Sequence, residues 1–231
     1  MSLDTIAPPL DIAALVYFAL AVFIYRVIVA RRAETRGGLL GAIQEHRVSW
    51  MLNMAKREQR MLDAILLGSL SQGNAFFAST SAIAVGGLAA TLGSGEKLQA
   101  MLAHLPLVSA TTPAIVEAKQ LLIMGIFIYA FFKFAWAFRL SHYASIMIGA
   151  TPDYEESGDA CLAHAERTAR LIGIAAEHSN SGIRSFYHAI AALAWFFHPL
   201  LFVVATTWVI LILARRDFFS RSLRLIAGRR A

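Results

Sequence analysis

Cysteine is almost absent: Cys161 is the only one among 231 residues. A single thiol excludes a disulfide framework and a cysteine-rich metal centre. Charge is scarce too, at 16% of residues against 58% hydrophobic, with a mean hydropathy of +0.58. That balance excludes an ordinary soluble domain of this length. The alternating polar and apolar pattern of a β-barrel is missing, and hydrocarbon offers no partners to backbone groups, so membrane segments must be helical. No Lys or Arg occurs among the first nine residues, where a secretory signal carries its positive charge. The ends match neither a myristoylation start (Met1-Ser2) nor a prenylation box (Gly228-Arg229-Arg230-Ala231). Attachment is therefore expected to rest on spanning helices.

What the chain does have is four long apolar stretches, approximately residues 10–30, 61–92, 120–149 and 186–214. About 20 apolar residues at about 1.5 Å each cross the hydrocarbon core, so all four qualify. The expected fold is all-α: one polytopic bundle domain over 1–231, with about four transmembrane helices plus a peripheral amphipathic helix. That last helix is expected where Leu162, Ala165, Ala169, Ile172 and Ala176 recur at helical spacing. The three longer stretches exceed the core thickness and must tilt, project or bend, with Gly68, Gly73 and His198-Pro199 as the expected bends.

The net charge of +6 sits beside membrane segments and not in one soluble patch, which argues against nucleic acid. It points instead to anionic head groups near residues 31–60 and 215–230. Positive-inside reasoning puts 31–60 in the cytoplasm, in a bacterial inner membrane, with the N-terminus outside. Four crossings would then leave the tail outside, yet it carries Arg215, Arg216, Arg221, Arg224, Arg229 and Arg230. The two signals conflict.

Within the membrane segments, Asn74, Ala78, Ala82, Gly86 and Ala90 fall four apart. Small residues at that spacing let a neighbouring helix approach closely, so Ala78, Ala82, Gly86 and Ala90 are read as a packing face, inside the subunit or in a homo-oligomer. Lys133 stands near the middle of the third stretch, where a charge costs about 2.5–3.5 kcal/mol on insertion scales. It is read as a buried clasp first, and as a site for an anion, proton or lipid phosphate second. Counting along alternating helices puts Gln72, Asn74, Lys133, Arg139 and His198 at matching depths, a candidate polar layer for a solute or a lipid. Asp63 is read as a partner of nearby arginines. The seven histidines show no metal-ligand spacing, and there is no nucleophile elbow or phosphate loop, so no catalytic residue, metal or cofactor is assigned.

Five pieces in order carry a resemblance: Ser71-Gln72-Gly73-Asn74 leading to Ser79-Thr80-Ser81; Phe131-Phe132-Lys133-Phe134 through Phe138-Arg139; Gly149-Ala150-Thr151-Pro152; Asn180-Ser181-Gly182-Ile183-Arg184-Ser185-Phe186-Tyr187; and Trp195-Phe196-Phe197-His198-Pro199. Over most of its length the chain resembles the integral membrane family catalogued as domain of unknown function 599, found in bacteria and plants. The resemblance extends Asn74 and Arg139 to the plant members, but not Lys133 or His198. It implies a multi-pass membrane protein and no activity. Three functions follow from the residues, in this order: an oligomeric channel or transporter-like subunit for an anion, a non-catalytic scaffold subunit of a membrane complex, and a lipid-acting membrane enzyme.

Overall fold

The computed structural model describes residues 9–34, 38–103 and 112–228, and no strand occurs among them. The order is α1 (Pro9–Glu34), α2 (Gly38–Ala55), α3 (Met61–Thr91), α4 (Gly95–Ala103), α5 (Pro113–Gly149), α6 (Tyr154–Leu193), a 3-10 turn (Ala194–Phe196), α7 (Pro199–Phe219) and α8 (Arg221–Ile226). Four segments are long and apolar enough to cross a membrane: Pro9–Arg31, Met61–Thr91, Pro113–Gly149 and Pro199–Ile226. The chain is an all-α membrane protein. Arg36, Pro106, Arg229 and Arg230 lie outside the described residues.

Two span boundaries correct the sequence reading. The third helix begins at Pro113, not near residue 120, because proline lacks only an N–H that the first turn does not use. This draws Lys119 into the helix. The fourth span begins at Pro199, not near residue 186, since residues 186–193 complete α6. His198-Pro199 is therefore a break between helices and not a bend. Hydropathy passes over the break because the residues around it are apolar and Trp195 is only 4% exposed.

The amphipathic helix is present and far longer than its recognisable stripe: α6 has 40 residues, with a kink at Gly158, whose φ of +37° suits glycine. Cys161, Ala165, Ala169 and Ile172 form its apolar stripe, packed into a core with Met51, Met54 and Ala55. Between residues 178 and 189 every position is buried or half-buried.

The sequence reading treats 1–231 as one bundle; the packing divides it into two compact units, each assembled from several segments. The first comprises Met1–Arg31, Ser81–Ala130 and Ile183–Arg216, and the second Arg32–Thr80, Phe131–Gly182 and Asp217–Ala231. In the first, Phe18, Ile123, Ala189, Trp195 and Phe202 build the core, with Trp195 stacked on Phe202 at 5.1 Å. In the second, Met51, Met54, Leu67, Ile148 and Cys161 do so. Burying each large apolar side chain contributes about 1.5–3 kcal/mol.

The chain changes unit after Arg31, Thr80, Ala130, Gly182 and Arg216, within α1, α3, α5, α6 and α7. The tail falls in the same unit as the basic connection, where the His46 ring Nε2 pairs with the Ile226 carbonyl at 2.8 Å. Gly38, at φ +84°, lies so close to the Asp217 carbonyl that an added Cβ would meet it at 3.0 Å. A reporter fused after Ala231 is accordingly expected to read the same compartment as one inserted between α2 and α3. Different compartments for the two reporters would contradict the contact between α2 and the tail.

Candidate functional site

The inner stretch of α6 carries Asn180, Ser181, Arg184, Ser185 and His188 within nine residues. Polar side chains shielded from water need partners, and an orphaned one costs about 1–3 kcal/mol. Most here have them. Asn180 donates to the Ala176 carbonyl at 2.8 Å, and the ring of Lys133's neighbour His178 lies 3.4 Å from the Lys133 ammonium.

His188 is the exception. It is 3% exposed, and neither ring nitrogen has a hydrogen-bond partner. Its ring meets Phe18 edge-on, with centroids 6.2 Å apart, and the charges of Arg26 and Arg184 both bear on it. Beside it lies a cavity of about 340 Å³ in the first unit. Arg26, Tyr129, Ser185 and His188 give the cavity its polar groups, while Phe18, Val22, Leu121 and Leu122 give it apolar walls. The Arg26 guanidinium sits 4.5 Å over the Tyr129 ring, a contact that holds the cation without neutralising it. The cavity thus sets a cation and hydrogen-bonding groups against one apolar side. Nothing in the sequence distinguishes His188 from the other six histidines. The signal that was there is a run of polar residues three or four apart, Ser181, Arg184, Ser185 and His188, on a helix otherwise read as a connection.

A second buried charge in the same unit is closed. Lys119 and Asp11 pair at 3.4 Å with side chains 1% and 7% exposed; Trp195 donates its indole N–H to the same carboxylate at 2.7 Å. The ammonium also lies 5.4 Å from the Trp195 ring centroid. Three elements are thereby clasped, and the pair is structural.

In the first unit α5 runs beside α1 in the same direction, Asp11 against Lys119 and Arg26 against Tyr129.

In the second unit, Asp63 is 1% exposed and accepts from the Trp50 indole at 2.7 Å and from Arg57 at 3.3 Å, as an arginine partner should. Arg60 donates to the carbonyls of Thr151, Pro152 and Ala55, which closes the exposed C-terminus of α5. A cavity of about 480 Å³ is lined by Ala78, Ser79, Arg139 and His142. Another, of about 580 Å³, is lined by Gln44, Arg47, Glu166, Arg170 and Glu177. Burial pushes the Arg47 guanidinium below its ordinary value, and the charge of Glu177 opposes that shift.

Of the sequence-derived layer, Gln72, Asn74, Lys133 and Arg139 fall in the second unit, and His198 in the first. Asn74 is buried, Gln72 and Arg139 are exposed, and Lys133 is half-buried. The His198 Nδ1 accepts the Leu200 N–H at 3.1 Å, which makes it the cap of α7. Of the small-residue face, Ala78 borders the Arg139 cavity, whereas Ala82, Gly86 and Ala90 are exposed and a Cβ at Gly86 would meet nothing within 4 Å. Among the described residues, no helix covers those three.

The family described as "Protein of unknown function, DUF599" matches residues 13–222. The chain belongs to this family. The match includes every helix that contributes to the His188 cavity, α1 through Phe18 and Arg26, α5 through Tyr129, and α6. No curated protein matches the chain, and no solved structure does.

Proposed function

We propose that this family member is an oligomeric channel or transporter-like subunit of the bacterial inner membrane that handles an anion. The observation that carries the reading is the enclosed polar stretch of α6. In a chain with four apolar spans, a shielded helix bearing Arg184, Ser185 and an unpartnered His188 is the arrangement that gives a charged solute oxygen-binding groups away from lipid. Arg184 and Arg26 both bear on the His188 ring, and two cations converging on one cavity favour an anion. A second copy of the chain is the expected cover for Ala82, Gly86 and Ala90, whose small side chains permit close backbone approach. The exposed Arg215, Arg221 and Arg224, interleaved with exposed Phe219 and Leu225, fit anionic head groups at the interface.

Reconstituted protein in liposomes is expected to conduct or exchange a small anion, with flux falling at least about tenfold in Arg184→Ala and less in Lys133→Ala, whose ammonium has His178 as a neighbour. A tenfold change corresponds to about 1.4 kcal/mol, within reach of one lost charge contact. Silence across a panel of anions, with a stoichiometric partner retained on purification, would favour the scaffold reading instead. The closed clasps at Asp11–Lys119 and Asp63–Arg57 are the observations on that side.

A further inference from the structure

The cavity at His188 is the one place among the described residues where a buried polar side chain without a hydrogen-bond partner, a cation and a continuous apolar wall meet. Its polar and apolar groups are unequal in kind. Phe18, Val22, Leu121 and Leu122 offer nothing to a hydrated inorganic ion, and stripping such an ion of water against them is unfavourable. They suit an acyl chain.

Arg26 is exposed and lies on the Pro9–Arg31 span, five residues from its end. An arginine at that depth reaches the head-group level with its charge while its stem stays in hydrocarbon. Phe18 and Val22 stand two turns and one turn deeper on the same helix, about 12 Å and 6 Å from Arg26 along the axis. The cation therefore sits at the shallow end of an apolar track. Imidazole has an N–H to donate in either tautomer, and the His188 ring, which lines the cavity, spends it on no other group of the protein. The volume of about 340 Å³ is enough for part of a small ligand, since such pockets run from about 300 Å³ upward.

From this we infer that the cavity binds an anionic amphiphile, its carboxylate or phosphate held by Arg26 with His188 as hydrogen-bond donor, and its acyl chain along Phe18, Val22, Leu121 and Leu122. The inference rests on the anion reading of this site and not on transport. The ligand class has two sources, a membrane phospholipid or a free fatty acid, and binding separates them.

Gly125 provides a variant that leaves the charges alone. It borders the cavity, and a Cβ there meets nothing within 4 Å. Gly125→Leu fills the space while favouring the helix. Native mass spectrometry of the full-length protein in detergent, titrated with dioleoyl phosphatidic acid, dioleoyl phosphatidylcholine, oleate and inorganic phosphate, reads the outcome. One anionic amphiphile per chain is expected, bound at least about tenfold tighter than the zwitterionic lipid, with at least tenfold loss in both Gly125→Leu and Arg26→Gln. Binding of phosphatidic acid alone assigns a phospholipid, and of oleate alone a fatty acid; either supports the site. Inorganic phosphate bound as tightly, and lost in Arg26→Gln, would overturn the amphiphile while leaving the anion reading intact. No anion retained at all would overturn both. Undiminished amphiphile binding in Gly125→Leu would place it elsewhere and overturn the inference.

Discussion

Lys119→Met is expected to be the most damaging single substitution in the chain. It strands the Asp11 carboxylate, 7% exposed and accepting only the Trp195 indole N–H, in an apolar surround of Phe202 and Trp195. Removing one partner of a buried pair costs about 3–5 kcal/mol, because the remaining charge keeps its desolvation penalty and loses its compensation. The double variant Lys119→Met with Asp11→Leu removes both charges and should recover most of that loss. It will not recover all, since the indole N–H then lacks its acceptor, worth about 1–3 kcal/mol. Thermal unfolding in detergent, followed by near-ultraviolet circular dichroism of the tryptophans, measures both. Equal destabilisation in the single and double variants would show that packing, not charge, makes the position sensitive.

Gly182→Ala is expected to reverse the usual sign of a helical glycine replacement. Alanine normally favours a helix over glycine by about 1 kcal/mol. At residue 182 the new methyl would lie 2.6 Å from two ring carbons of Phe134, which is fully buried and stacked on Phe77 at 5.1 Å. That ring has no free direction in which to move, so overpacking of about 1–3 kcal/mol should outweigh the helical gain. Gly125→Ala is the internal control: with open space at its Cβ it should stabilise by about 0.5–1 kcal/mol. Adding Phe134→Leu to Gly182→Ala should restore part of the loss. Chemical denaturation midpoints of the three variants decide it, and a stabilised Gly182→Ala would mean the two helices stand further apart than this.

How far the chain could be read in advance differs from helix to helix. The spans of α1 and α3 were legible nearly to the residue, because apolar length is a local property that a window of about 20 residues captures. The start of α5 was not, although Pro113 is a good first helical residue: Lys119 looked like the edge of a connection, and only Asp11, 108 positions away, makes its burial acceptable. The amphipathic stripe of α6 was legible from Leu162 to Ala176 through its spacing, but the burial of residues 178–189 was not, since a polar helix shielded by others has the same sequence as one lying on water. His198 illustrates the converse. It stands out in sequence as a histidine before a proline and proves to be a helix cap, while His188, inconspicuous, is the one left without a partner.

Composition and hydropathy by themselves established an all-α membrane protein, because the cost of exposing backbone and charge to hydrocarbon is paid residue by residue and needs no knowledge of neighbours. The shared location of the tail and the basic connection, the pairing of Lys119 and the open cavity at His188 were decided only by tertiary contact. Each depends on which distant groups come within about 4 Å, and at that range partners, not residue types, set whether a polar atom is satisfied or free to bind.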